Sequence, residues 1–118
     1  MDQPIVQINC VSNLFARMMY FKKTGDKEFG HTHAHDHLTL LAKGKLRVTI
    51  NGQDTDFQAP QMIFIKAELN HELTALSDET VAYCIHALRE PSGDILAPEN
   101  IPQAEELSAL VKSIVNPV

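Results

Sequence analysis

The chain has 118 residues, 44% of them hydrophobic and 21% charged, and a formal net charge of −5. That length and balance suit a single globular domain, 1–118, able to bury about two-thirds of its unfolded surface. The acidic balance argues against nucleic acid, whose phosphates need a cationic footprint. No apolar run approaches the ~20 residues of a membrane-spanning helix, and so no membrane partner is expected. Met1-Asp2-Gln3-Pro4 lacks the character of a secretory signal, which makes the cytoplasm the expected location. There, Cys10 and Cys84, with no CxxC partner, read as free thiols.

In chain order, residues 4–9 read as a short edge strand with Pro4 at its start. Residues 13–21 carry Leu14, Phe15, Met18, Met19, Tyr20 and Phe21 with one charge, Arg17. A run so apolar suits a strand buried on both faces, although Leu14, Met18 and Phe21 also fit helical spacing. The polar turn Lys22-Lys23-Thr24-Gly25-Asp26 favours strand. Next comes His31-Thr32-His33-Ala34-His35-Asp36-His37, which holds four of the six histidines. Read as one extended strand, it turns 31, 33, 35 and 37 to a single face. Imidazoles gathered on one face can converge on a transition metal; a solvated histidine-rich surface strand is the plainer alternative.

Leu38-Thr39-Leu40-Leu41 reads as a strand, Lys43-Gly44-Lys45 as a turn, and Leu46 to Ile50 alternates as a half-buried strand. Asn51-Gly52 predicts a type I′ hairpin turn, because both residues tolerate positive φ. The return strand runs Gln53 to Gln58, followed by a buried strand Met62-Ile63-Phe64-Ile65. His71 to Leu76 and Thr80 to Leu88 read as a second hairpin about Ser77-Asp78-Glu79. On the last strand, Val81, Tyr83, Ile85 and Ala87 are the larger apolar set and are assigned to the interior. Tyr83 is thereby either a pocket residue or a core tyrosine, with His86 and Cys84 on the opposite face. Past Glu90, Leu107, Leu110, Val111 and Ile114 predict an amphipathic helix over 103–115. Short strands separated by turns indicate an all-β antiparallel sandwich or barrel with a C-terminal α-helix.

The spacing around the histidines carries a resemblance. Gly25, five residues, His31-x-His33, three residues, His37, six residues and Gly44 resemble the first motif of the cupin superfamily, Gly-x(5)-His-x-His-x(3,4)-Glu-x(6)-Gly. Here His37 stands where the family has an acidic residue. The second motif, Gly-x(5)-Pro-x-Gly-x(2)-His-x(3)-Asn, falls on His71, with Pro60, Lys66, Glu68 and Ala75 replacing its Gly, Pro, Gly and Asn. The likeness covers about residues 13–89.

The resemblance implies a jelly-roll barrel (a double-stranded β-helix), with one divalent transition metal, Fe, Mn, Ni, Cu or Zn, on His31, His33, His37 and His71. It assigns His35 no metal bond. Small cupins of this kind include dioxygenases, isomerases and lyases acting on sugars or keto acids, and ligand-sensing modules. A dioxygenase acting on a small-molecule substrate is the leading expectation. Exposed terminal strands exchanged between subunits imply a homodimer, with residues 4–9 or the 103–115 helix in the interface.

Overall fold

The computed structural model describes residues 2–31, 36–67, 69–89, 92, 94, 95 and 97. The expected 103–115 helix lies outside them. Among the described residues the fold is all β: β1 (Ile5–Val11), β2 (Leu14–Phe21), β3 (Lys27–His31), β4 (His37–Lys43), β5 (Lys45–Ile50), β6 (Gln53–Gln58), β7 (Gln61–Ile65), β8 (His71–Ala75) and β9 (Thr80–Ala87). They form a five-stranded sheet, β1-β2-β9-β4-β7, facing a four-stranded sheet, β3-β8-β5-β6, with every ladder antiparallel. This is a jelly-roll sandwich. Apart from the β1–β2 and β5–β6 hairpins, strands successive in sequence cross between its sheets, which brings distant segments onto one inner face.

The core is built from inward-facing alternate residues. Met19 and Phe21 of β2, Leu41 of β4, Leu46 of β5 and Ala82 of β9 are completely buried, with Ile65 and Leu73 nearly so. The Asn51-Gly52 turn forms as expected, with φ of 50° and 79° and Ile50 paired to Gln53. Two positive φ values match the turn to the right-handed twist of the strands it joins. β1 and β7 are the edge strands of the larger sheet. No helix among the described residues is long and apolar enough to cross a membrane.

Two expectations are corrected. The histidine run is not one strand: His31 ends β3 in one sheet and His37 begins β4 in the other. Period-2 alternation therefore cannot relate their side chains. Nor do β8 and β9 form a hairpin, for β8 pairs with β3 and β5 while β9 pairs with β2 and β4. The Ser77–Glu79 link carries the chain across the sandwich, held by Thr24 N–H and Oγ1 donating to Asp78 Oδ1 at 2.8 and 2.9 Å.

Candidate metal centre and cavity

His37 and His71 open their strands from opposite sheets and meet between them. Both are buried, at 5% and 4% exposure, and their ring centroids lie 5.0 Å apart at 47°. His71 Nδ1 lies 3.1 Å from the carbonyl oxygen of Leu69. A carbonyl only accepts, so Nδ1 carries the proton and Nε2 is the nitrogen that a metal would bind. His31 is level with His71 across the β3–β8 ladder, next to a register shift after Glu28. His33 and His35 lie outside the described residues. Among the described residues, no three histidine, cysteine, aspartate or glutamate side chains group as a metal site.

The two placed rings fit a shared metal. Imidazoles bound at about 2.1 Å hold their centres roughly 4.5–5.3 Å apart at right-angle to tetrahedral geometry. Both ring nitrogens of His37 are shielded from solvent. The acceptor that fixes the His71 tautomer is a backbone carbonyl, and Asp36 and Glu72 serve elsewhere. Asp36 accepts the N–H of Ala67 at 2.7 Å, and Glu72 lies 3.6 Å from Lys27 Nζ.

Beside the histidines lies a cavity of about 290 Å³. Ile8, Phe15, Met19 and Leu73 supply apolar wall; Arg17, Glu28, His37, His71, Cys84 and His86 supply polar groups. Arg17 Nη2 donates to Glu28 Oε1 at 2.9 Å, joining the two sheets across the cavity. His86 stacks on Phe15, with centroids 4.6 Å apart and planes at 22°. Its Nδ1 donates to the carbonyl of Ala87 at 2.9 Å. Cys84 Sγ lies 3.5 Å from Thr39 Oγ1. Burial raises the Cys84 thiol above its ordinary 9.0, outweighing the lowering by the Thr39 hydrogen bond and by Arg17. It stays protonated at neutral pH and is a poor nucleophile. Both cysteines are free thiols, as expected.

The expected facing of β9 is inverted. Ala82 is in the core and Cys84 and His86 line the cavity, so alternation turns Val81, Tyr83, Ile85 and Ala87 outward. Tyr83 is therefore not placed as a pocket residue, and His86, expected on the surface, is in the cavity wall. The reason is chemical: the cavity wall mixes Arg17, Glu28, Cys84 and His86 with apolar side chains, while the outer face of β9 carries Tyr83 and Ile85. The larger hydrophobic set thus marks the outside of this strand. The pairing of β9 with β2, whose inner residues Phe15 and Arg17 oppose His86 and Cys84, sets this facing, and no local sequence signal announces it.

A family model for the cupin domain (Cupin_2) matches residues 18–87. Among solved structures, KdgF from Halomonas sp. is 18% identical with a TM-score of 0.63, over 74% of this chain and 80% of that one. A cupin-2 domain protein from Shewanella frigidimarina is 17% identical with a TM-score of 0.60, over 74% and 83%. An RmlC-like cupin from Methanocaldococcus jannaschii, described as a double-stranded β-helix, is 9% identical with a TM-score of 0.64, over 75% and 83%. At these identities the likeness is one of fold. No curated protein sequence matches the chain. The family match spans more than half of the chain, from β2 to β9, and the two-sheet topology agrees with it: the chain belongs to the cupin-domain family.

Proposed function

We propose that this cupin is a metal-dependent enzyme acting without redox change on a small polar substrate, as an isomerase or lyase. The observation carrying the reading is the set Arg17, Glu28 and His86 in the cavity wall beside His37 and His71. His31, His33, His37 and His71 would hold one divalent transition metal. With four neutral ligands the ion keeps its full charge and, when bound, supplies Lewis acidity toward a carbonyl or enolate oxygen. The chain's own groups do the rest. Nδ1 of His86 donates to a carbonyl, so Nε2 is the ring nitrogen that would take part in moving a proton. Phe15 holds that ring by stacking, and Ile8, Met19 and Leu73 exclude water.

The dioxygenase expected from the sequence is the second reading, favoured by that same apolar wall. The two separate under anaerobic conditions. Zinc- or manganese-loaded protein, incubated in D₂O with a panel of keto acids and reducing sugars, should place deuterium beside a substrate carbonyl without oxygen. Turnover confined to the iron-loaded protein, with oxygen consumed, would establish the dioxygenase and overturn the non-redox reading.

We further infer a homodimer built on the outer face of the five-stranded sheet. The registers align Met18, Tyr83, Leu40 and Met62 in one outward row, and Ala16, Ile85, Leu38 and Phe64 in the next. Met62 and Phe64 are 66% and 65% exposed. A continuous apolar face of this kind invites association with a second copy. Leu40→Arg, at its centre, should halve the mass measured by light scattering at micromolar concentration. A monomeric mass for the unaltered chain rejects the dimer.

A further inference from the structure

The geometry points to a carboxylate-binding subsite at Arg17, which makes the substrate a small carboxylic acid. This deepens the metal-enzyme reading above and rests on it. Arg17 lies in an inner row of the larger sheet, in register with Ile8 on one side and Cys84 on the other, and Cys84 in turn pairs with Thr39. A guanidinium among such neighbours is costly to desolvate unless it is paired. Its partner, Glu28, comes from the opposite sheet, and both line the cavity with side-chain exposures of 24% and 16%.

The pairing is one-handed. Among the described residues Arg17 makes a single side-chain hydrogen bond, Nη2 to Glu28 Oε1 at 2.9 Å. A guanidinium offers five N–H donors in a planar fork, and its preferred partner is a carboxylate held by two parallel bonds. A bidentate brace would use that fork fully; this one uses a single N–H. Here Glu28 neutralises Arg17 from one edge and leaves an edge for a second anion.

Charge points the same way. A dication on neutral imidazoles, with Arg17 and Glu28 cancelling, leaves the cavity positive, so an anionic ligand completes it. The volume, about 290 Å³, lies at the small end of ligand pockets. The substrate then spans two poles: its carboxylate on Arg17, and its carbonyl or hydroxyl toward the histidines.

The probes are four carboxylates (glyoxylate, pyruvate, mandelate and gluconate) and mandelamide, the neutral match of mandelate. Binding to metal-loaded protein is followed by calorimetry and by the Arg17 Nε–H cross-peak in ¹H–¹⁵N spectra, with metal content measured in every sample. At least one carboxylate should bind and shift the cross-peak, and mandelate should exceed mandelamide by about tenfold or more. Arg17→Gln should bring that ratio near one. Glu28→Gln, which frees the fork, should raise carboxylate affinity. If Arg17→Gln fails to fold, Arg17→Lys keeps the charge, loses the fork and should reduce the ratio.

Failure of all four carboxylates to bind overturns the subsite. So does a mandelate preference that survives removal of Arg17, because it would come from the metal alone. Either result with full metal content leaves the metal-enzyme reading standing. Loss of metal from unaltered protein would instead sink that reading, while the cross-peak still reports on Arg17.

Discussion

His71→Ala is expected to leave a folded protein that no longer retains a metal. Of the four proposed ligands, His71 is the only one outside the 31–37 run; it opens β8, level with His31 of β3 and facing His37 from the other sheet. Its removal takes away the one donor that only the folded sandwich brings to the run. Affinity should fall by more than about 100-fold, beyond the usual cost of losing a residue that merely orients a ligand. The strand itself should persist, because β8 is held by backbone ladders to β3 and β5 and by the buried Leu73 and Ala75. Elemental analysis after dialysis, beside a circular dichroism melt, checks both halves. Equal metal content in the variant and the parent would remove His71 from the site and favour a surface chelator made of the 31–37 run.

Gly44→Val should cost about 2–5 kcal/mol of folding stability. Gly44 joins β4 to β5, where the chain passes from one sheet to the other, and its φ is +86°. A β-branched residue in that conformation is strained whatever surrounds it. The surroundings are also full. A Cβ there would collide with Thr80 Oγ1 and Ser77 Oγ, from the loop that carries the second crossing between β8 and β9. Those hydroxyls are engaged: Lys45 N–H donates to Ser77 Oγ at 2.9 Å, and Thr80 Oγ1 donates to the Ser77 carbonyl at 2.8 Å. Gly52→Ala is the control. Its φ is +79° with nothing within 4 Å of an added Cβ, so it should lose only about 1–2 kcal/mol. Urea unfolding of the three proteins decides the matter, and a Gly44 variant no worse than the Gly52 variant would show that the crossing is not tightly packed.

Much of the architecture was legible from local chemistry. Alternation in Leu46–Ile50, the Asn51-Gly52 turn and the buried 62–65 run are nearest-neighbour properties, and each strand formed where its pattern lay. The spacing from Gly25 to Gly44 was legible too. At its end, glycine is required by a positive φ and by the approach of a second loop.

What the sequence by itself determined is therefore every strand but β3 (Lys27–His31), the turn chemistry and the family spacing of the histidines. Which strands share a sheet was decided only by the tertiary structure. Ser77-Asp78-Glu79 looks like a hairpin turn, yet it carries the chain between sheets, because β8 and β9 each find two partners elsewhere. The histidine run likewise divides between sheets at a point where alternation has no meaning. The face of β9 was hidden for a related reason. Hydrophobicity marks the inside only where the inside is wholly apolar, and here the cavity wall includes Arg17, Glu28 and His86 while Tyr83, Ile85 and Leu40 sit on the outer face. Pairing is a long-range property, and it was pairing that set Arg17 beside Cys84 and brought Glu28 across from the other sheet.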